Sequence, residues 1–584
     1  MTGNVLDLKG LSKQEELAKS ITLNYTNWRT QRQPWERECK EVRDYIFATD
    51  TSSTSNAELP WKNSTTVPKL TQIRDLLHSN YIATLFPNDQ WLQWEAYDDS
   101  AENKEKRELI EAYIATKCRQ SGFEETMSDA LLDWIDTGVC ITDVEWVHEY
   151  TIHPVTEEKV TSYVGPRAKR VRPNSLVFNP TASDWNHTPK ITRILKTVGE
   201  LMFDAHNNPS LKYSQDALDH AMHVRKQVTG LDLNDKDINA AYNVDGFGSL
   251  SEYYGSGMIE ILEAEGNFYD AETGEFLQDH IITIIDRSVV LRKEANPSWL
   301  GSGYKQMSSW RKRPDNLYGM GPLANLVGMQ YRIDHLENLK ADLMDLTAFP
   351  PVIIQGEVDE FKWQPLEQIR MDEGANVSML QVDTNALNAD MQIATIERRM
   401  EELVGAPKEA MGIRSQGEKT MFEVASLQNA SSRMFQTRLR QFEKEVIEPT
   451  LNGMLEMSKR MMTTEELALV LDDEVGAERF VTITKKDLQQ KGKLRPIGSR
   501  HFAMQAQLVQ NLTQLSNTRI WEETKQHRSS KKLAVMIEDL LGIKRFGLYS
   551  DNIAIFEAQD TQRLAGTAEE ELAIENELPS EDLM

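Results

Sequence analysis

The chain has 584 residues and carries 91 acidic side chains against 65 Lys and Arg, giving a net charge of -26 at pH 7. This length exceeds what one hydrophobic core usually organises, so we expect several structural units, with discontinuous domains among them. The charge is the opposite of that of a tight nucleic-acid binder. It favours solubility, and on the wall of a conduit it would also repel phosphates.

The composition also excludes a membrane protein and a disulfide-stapled one. No apolar run approaches the length of a membrane span, since even 281–285 is followed by two charged residues. The N-terminus lacks the basic and apolar regions of a secretory signal. Cys39, Cys118 and Cys140 are too few and too scattered for a disulfide framework or a zinc site. We therefore expect a protein of a reducing cytoplasm.

The first third of the chain changes from a helical to a strand pattern. Helical periodicity covers 12–47, a polar linker follows at 49–56, and helices then dominate to about Asp136. Alternating apolar residues predict several strands between 138 and 292 and one more late in the chain. These predicted strands are 140–147, 150–153, 159–164, a region 258–292 with a hairpin signal at 270–274, and 479–484, which we expect to return to that region.

Two long amphipathic helices then enclose a strand-rich insert. The first is predicted to begin at Gly319-Met320-Gly321-Pro322 and to end before Pro350. Its expected apolar stripe consists of Met329, Ile333, Leu336, Leu339, Leu343 and Leu346. Its expected solvated face carries Arg332, Asp334, Glu337, Lys340, Asp342 and Asp345.

The second helix is predicted from about Ala389 to Val404 and ends at a glycine and a proline. Its stripe consists of Ile393, Ile396, Met400 and Leu403. Strand-like runs in the insert are 352–354, 377–380 and Val382, with a short helical turn at 364–369.

A loop over 405–418 follows, and a capping box at Thr420 and Glu423 starts the longest helical pattern. This pattern reaches Met462, with a bend expected at Pro449. Residues 501–541 are predicted to be helical. The acidic tail 565–584 is expected to be mobile.

The order of several short motifs resembles that of the portal proteins, or head-to-tail connectors, of tailed phages, particularly short-tailed ones. The resemblance spans most of the chain. The motifs are Tyr163-Val164-Gly165-Pro166, Val171-Arg172-Pro173-Asn174-Ser175, Asn179-Pro180, Trp310-Arg311-Lys312-Arg313-Pro314-Asp315, Tyr318-Gly319-Met320-Gly321-Pro322, Gly417-Glu418-Lys419-Thr420, Glu423-Val424 and Glu448-Pro449.

The resemblance implies an α+β, mainly helical subunit of a ring, dodecameric in this family, at one capsid vertex of the virion. The ring, assembled in the host cytoplasm, would pass genomic double-stranded DNA during packaging and ejection. Its implied partners are terminase, tail or adaptor proteins, and the major capsid and scaffolding proteins. The implied divisions are a wing (1–317), stem helix 1 (318–348), a clip (349–388), stem helix 2 (389–404), a tunnel loop (405–419), a long tunnel or wing helix (420–462), a wing return with a strand (463–500), a helical crown (501–548) and an acidic tail (549–584).

Two groups of residues are the resulting site candidates. The glycine-containing loop would line the narrowest part of the channel, where Lys408, Arg414 and Lys419 would touch DNA only lightly. Alternatively, Lys408 and Arg414 form salt bridges between subunits. The expected stem-packing residues are Met329, Ile333, Leu336, Leu339, Leu343, Ile393, Ile396 and Met400. No catalytic residue, metal or cofactor is expected.

A DNA-packaging ATPase and a helical scaffold or adaptor are the alternative functions. The stretch 412–420 nearly spells a P-loop, but Glu418 stands where the phosphate-binding lysine should follow the second glycine. The segment 319–324 formally fits a dinucleotide fingerprint but lacks a preceding buried strand, so its glycines are expected to form a turn.

Other motifs favour structural roles. His148 and His153 are wrongly spaced for a zinc-protease helix and are expected to be ordinary strand residues. The basic runs 167–172 and 311–313 could touch DNA, although a solvated face or a subunit contact is favoured. Asp472-Asp473-Glu474 could hold a divalent cation, although a solvated acidic turn is favoured.

Overall fold

The computed structural model describes most of the chain between Val5 and Pro496. The residues that it leaves undescribed are 1–4, 12, 60–61, 87–90, 97–100, 153–158, 183, 208–210, 229–256, 301–302, 357–375, 380–388, 405–433, 464–465, 472–477, 490 and 497–584. The predicted turn at 364–369, the strand residue Val382, the crown, the acidic tail, the near P-loop and the acidic cluster 472–474 therefore lie outside the described residues.

Helices and strands alternate irregularly along the chain, and the α+β class is confirmed, with 51% of the described residues helical and 29% in strands. The described helices are α1 (Gln14–Ile46), α2 (Lys69–Leu85), α3 (Ala101–Gln120), α4 (Phe123–Asp136), α5 (Val198–Asn207), α6 (Gln215–Val228), α7 (Val327–Ala348), α8 (Asp390–Val404), α9 (Glu448–Met461) and α10 (Lys485–Leu488).

The described strands are β1 (Leu6–Leu8), β2 (Leu92–Ala96), β3 (Val139–Ile152), β4 (Lys159–Val171), β5 (Leu176–Phe178), β6 (Lys190–Thr197), β7 (Met258–Asp270), β8 (Phe276–Ile285), β9 (Val289–Ala295), β10 (Gln306–Ser309), β11 (Arg311–Arg313), β12 (Asn316–Met320), β13 (Val352–Gln355), β14 (Asn376–Met379), β15 (Glu466–Leu471), β16 (Glu478–Ile483) and β17 (Gly492–Pro496).

The chain divides into two compact units. One comprises Met1–Glu465 and Thr484–Ser499, and the other comprises Glu466–Ile483 and Arg500–Met584. Within the second unit, the described residues form the antiparallel hairpin of β15 and β16. The predicted strand 479–484 therefore exists, but its expected return to the 258–292 region is wrong because it pairs with its own neighbour.

A six-stranded sheet organises much of the first unit. Its strands run in the order β5-β6-β7-β8-β9, and β1 pairs in parallel with the end of β7. The buried face of α1 packs against this sheet through Leu17, Ile21 and Tyr25. Leu201 of α5 and Leu218 of α6 pack in a second cluster with Ile259 and Ile261. Sequence periodicity had predicted α1 correctly, because an amphipathic helix needs an apolar partner surface.

The hairpin signal at 270–274 is confirmed. The Gly274 amide donates to the Asp270 carbonyl at 2.8 Å, and Gly274 has a φ of 73°, which favours glycine. The three-stranded sheet β10-β3-β4 corrects another prediction. The two strands predicted at 140–147 and 150–153 are one long strand, β3, with an irregular register between Glu149 and Tyr150.

The glycines around β12 serve close backbone packing. Gly319 lies within β12, so the expected turn is wrong at this residue. A Cβ atom at Gly138 would lie 2.2 Å from the Gly321 nitrogen, and the φ of Gly138 is 79°. The Trp310 amide donates to the Gly138 carbonyl at 2.8 Å. Side chains at these glycines would force the two backbones apart.

The long C-terminal helical pattern is also present where it is described. Residues 434–442 are helical and continue through a π-helical turn, Glu443–Ile447, into α9. Pro449 lies in the first turn of α9. A proline cannot donate an amide hydrogen bond and crowds the preceding turn. The wider π-helical turn before α9 accommodates both effects.

Candidate functional site

The two predicted stem helices contact each other as α7 and α8. Helix α7 begins at Val327, eight residues after Gly319, because 316–320 form β12 and a 3-10 turn occupies Ala324–Leu326. The predicted start at Gly319 is therefore wrong, whereas the predicted end before Pro350 is confirmed. Helix α8 matches its prediction closely.

The predicted stem-packing residues divide into buried and half-buried positions. Ile333, Leu336, Ile393 and Met400 are buried, whereas Met329, Leu339, Leu343 and Ile396 are half-buried. Leu346 and Leu403, also expected on the stripes, are exposed. Between the helices, the described part of the insert contains β13 and β14, which pair antiparallel from Val352 opposite Met379 to Gln355 opposite Asn376.

A polar stripe on α7 holds a segment whose position the sequence did not predict. The stripe consists of Gln330, Asp334, Asn338 and Asp342, one residue per four along the helix. Asp334 and Asp342 were expected on a solvated face. That prediction is wrong for Asp334, which is fully buried, and Asp342 is half-buried. The four side chains contact the backbone of the segment 62–70, which precedes and enters α2.

The contacts in this polar stripe are hydrogen bonds to main-chain atoms. Asp342 accepts from the Lys62 and Asn63 amides, each at 3.0 Å. Asn338 both accepts from the Thr65 amide and donates to the Thr65 carbonyl, each at 2.8 Å. Asp334 accepts from the Val67 amide at 2.9 Å.

Gln330 completes the polar stripe at its N-terminal end. Its side-chain oxygen accepts from the Leu70 amide at 3.2 Å, and its amide donates to the Val67 carbonyl. The spacing of the polar stripe matches the spacing of the backbone groups in the 62–70 segment. Four helical residues rise about 6 Å, and two extended residues span about 6.6 Å. Polar residues spaced by four in α7 are the signal that could have revealed this contact.

Asp334 is the costly member of the polar stripe. Its Oδ1 accepts from Val67 and from the Gln330 side chain, but its buried Oδ2 has no hydrogen-bond partner among the described residues. Burial raises the pKa of the Asp334 carboxyl to about 6. A buried carboxylate with an unpaired oxygen favours its neutral form.

A buried ion pair ties the other end of the 62–70 segment to α8. The Lys69 Nζ lies 2.7 Å from a Glu401 carboxylate oxygen, and the two side chains are 4% and 9% exposed. Lys340 of α7 also pairs with Asp390 of α8 at 2.6 Å, but Asp390 is largely exposed, so solvent screens this pair. The helix pair is therefore attached to α2 through both α7 and α8.

The C-terminal end of α7 and the adjoining hairpin expose a group of large apolar side chains. We call it the apolar end of the helix pair. Its members are Met344, Leu346, Phe349, Ile353, Ile354 and Met391. Phe349 is 70% exposed and Met391 is 81% exposed. Large apolar side chains that are exposed near one end of a helix pair are candidates for contacts with other molecules.

The basic run 167–172 is largely neutralised by carboxylates of the same chain. Arg167 lies 3.1 Å from Glu145 and 2.7 Å from Glu149. Lys169 lies 3.0 Å from Glu145, and Arg170 pairs with Asp133. These contacts favour a structural role for the run over a DNA-binding one.

The second basic run, 311–313, forms the exposed strand β11. Lys312 pairs with Glu445, and Arg313 lies 3.9 Å from Glu38. Both contacts are at the surface, where ion pairs contribute little stability. A solvated face remains the better description of this run.

The remaining candidates add no reactive site within the described part of the chain. His148 lies in β3 and accepts from the Trp146 indole at 2.8 Å, so it is an ordinary strand residue. No group of three potential metal-binding side chains occurs among the described residues. Lys408, Arg414 and Lys419 lie outside the described residues, and their role in a tunnel loop stays a prediction.

Compared with known proteins, the chain matches no protein-family model, and it has no significant match among curated proteins. No helix in the described ranges is long and apolar enough to cross a membrane. A function therefore has to be inferred from the order of motifs in the sequence and from the geometry of the helix pair.

Proposed function

We propose that the chain is a portal subunit that forms a closed ring, dodecameric as in the portal family, at one capsid vertex. The ring would conduct double-stranded DNA during packaging and ejection. The insert between α7 and α8 would carry the clip, which docks terminase during packaging and tail or adaptor proteins afterwards. The subunit itself would hydrolyse nothing.

The observation that carries this proposal is the apolar end of the helix pair. Helices α7 and α8 pack on each other, and α2 covers part of them, yet Met344, Phe349 and Met391 remain exposed. Removing such surface from water contributes about 25 cal/mol per Å². A neighbouring subunit is the partner that would cover this surface at every position of a ring.

The attachment of the helix pair to α2 supports the same proposal. A stem that bears contacts with moving DNA or with docked proteins has to transmit force to the rest of its subunit. Hydrogen bonds from four side chains of α7 and a buried ion pair from α8 provide such a connection. Each bond is modest alone, but together they resist displacement of α2 from the pair.

Light scattering and negative-stain microscopy of the purified full chain test this proposal. We expect rings with a mass close to twelve times 66.8 kDa, although the subunit number comes from the resemblance. Only monomers and dimers across a range of salt and protein concentrations would contradict it. An ATPase assay on the same sample separates the packaging-enzyme alternative, which requires turnover.

A further inference from the structure

A basic groove runs beside α1 on the first unit. It encloses about 660 Å³ and is bounded by one face of α1 and by Thr137, Asn174 and Arg193. We call it the α1 groove. The cations lining it are Arg29, Arg32, Lys40, Arg43 and Arg193, and the carboxylates lining it are Glu36 and Asp44. A local excess of cations is unusual in a chain whose net charge is -26.

The inner wall of the α1 groove is rigidly built. The buried Arg32 guanidinium pairs with Glu36 at 2.6 Å and donates to the backbone carbonyls of Pro173, Asn174 and Leu176. Arg193 lies 2.7 Å from Glu260. Burial, together with repulsion from Arg193 and Arg32, lowers the pKa of Arg29. Because Arg32 and Arg193 are paired with carboxylates, these contacts hold the inner wall of the groove in place.

The outer part of the α1 groove is open to solvent. Lys40 and Arg43 are exposed there, and neither forms a salt bridge with a carboxylate among the described residues. Phe47, 62% exposed, adds an apolar contact at the same end. The groove thus offers two unpaired cations beside an aromatic ring, a combination suited to an anionic protein surface.

From this charge distribution we infer that the α1 groove binds the acidic surface of a second copy of this chain. This inference rests on the proposed ring and specifies one of its contacts. Two basic grooves would repel each other, so the groove cannot lie at the centre of a two-fold contact with itself. It must meet a different face of its neighbour, and such heterologous contacts generate closed rings or open filaments.

The lining favours a protein partner over DNA. Asp44 lies among the cations and would repel a phosphate backbone. In a protein interface, the same carboxylate can pair with a cation of the neighbour and fix the register of the contact. Subunits that each carry a charge of -26 also need attractive contacts to offset their mutual repulsion.

The test is a double charge reversal at exposed positions, Lys40→Glu with Arg43→Glu, in the full chain. The matched control is Lys19→Glu with Arg37→Glu, which changes charge equally on the same helix at exposed residues that do not line the groove. Light scattering against protein concentration measures ring assembly. We expect the groove variant to need roughly tenfold more protein for half-assembly, and the control to match the wild type.

Salt provides a second readout. Added salt should narrow the difference between the groove variant and the wild type, because it screens both the attraction of the native groove and the repulsion of the reversed one. Equal assembly of the groove variant and the wild type would overturn the inference while leaving the portal proposal intact. Failure of the wild type to form rings would instead remove the portal proposal, and this inference with it.

Two further measurements examine the folding and the DNA binding of the groove variant. Circular dichroism melting checks folding, and the neutral variant Lys40→Gln with Arg43→Gln replaces the reversal if the reversal melts early. Fluorescence anisotropy with a labelled DNA duplex examines the competing partner. DNA binding that falls in the groove variant, while ring assembly is unchanged, would identify the groove as a nucleic-acid site and overturn the inference.

Discussion

The ionised Asp334 side chain destabilises the folded state, and the same side chain connects α7 to the segment before α2. It connects α7 to the Val67 amide, but its ionised form is buried with one oxygen unpaired among the described residues. Its pKa rises from 3.8 to about 6, and each pKa unit corresponds to about 1.4 kcal/mol. Ionisation therefore costs the folded state about 3 kcal/mol at neutral pH.

The sign of the pH dependence follows from this pKa. Between pH 3.8 and about 6, the folded protein holds a proton at Asp334 that the unfolded chain has released. The contribution of this group to the free energy of unfolding therefore falls as pH rises through that window and is constant above it.

We predict that Asp334→Asn raises the free energy of unfolding by about 1–3 kcal/mol at pH 7–8 and has little effect near pH 4. The amide oxygen of Asn can still accept from Val67 and Gln330, and the amide carries no charge. Urea unfolding at both pH values measures the difference. A loss of stability at pH 7 would contradict the pKa argument.

Asp342→Asn is the matched control on the same polar stripe. Both Asp342 oxygens accept hydrogen bonds, Oδ2 from the Lys62 amide and Oδ1 from the Asn63 amide. Replacing either oxygen by an NH₂ group removes an acceptor, so this variant should lose stability by about 1 kcal/mol.

At the scale of the element, sequence periodicity predicted the positions of helices more accurately than it predicted which of their faces are buried. The spacing of apolar residues predicted α1 and α8, because each must bury one stripe. In α7 the same rule misplaced Asp334, because the partner of that face is a backbone segment with its own hydrogen-bonding groups. Such a partner is satisfied by polar side chains, which periodicity assigns to solvent.

The start of α7 and the pairing partners of the strands could not be predicted from the sequence either. The glycines before α7 suggested a helix start, yet Gly319 lies in β12 and Gly321 packs against Gly138. These contacts join residues far apart in the chain, and no local signal specifies them. The candidate site was predicted in part: the buried centre of the helix pair was foreseen, whereas the 62–70 segment and the Lys69–Glu401 pair were not.

The Lys69–Glu401 pair yields a prediction about how α2 and α8 depend on each other. Lys69→Met should destabilise the protein by about 3–5 kcal/mol, because it leaves Glu401 buried beside an apolar side chain. Glu401→Leu should have a similar cost for the reciprocal reason. The double variant should be more stable than either single variant, since neither charge remains.

Urea unfolding of the two single variants and the double variant completes a double-mutant cycle. A coupling energy near zero would contradict the pair as a connection between the helices. Lys340→Met is a useful reference, because Lys340 pairs with the exposed Asp390 and its loss should cost less than about 1 kcal/mol.

At the scale of the whole molecule, charge and apolar surface act in opposite directions. In the proposed ring, chains that each carry a net charge of -26 would repel one another. Association therefore needs localised attractive surfaces. The α1 groove supplies positive charge, and the apolar end of the helix pair supplies surface that is stabilised by burial. Salt should weaken the first contribution and leave the second largely unchanged.

The apolar end can be tested separately from the groove by Met344→Ser with Phe349→Ser. Full burial of each large apolar side chain contributes about 1.5–3 kcal/mol, so the double variant should require at least roughly a hundredfold more protein for half-assembly. The matched control is Phe203→Ser with Phe276→Ser, which removes two other exposed aromatic side chains. Light scattering at several salt concentrations measures both variants.

Because the lost contribution is apolar, added salt should not restore assembly of the Met344 and Phe349 variant, in contrast to the charge-reversed groove. Equal loss in the control, or assembly like that of the wild type, would show that this end of the helix pair is not a specific contact between subunits.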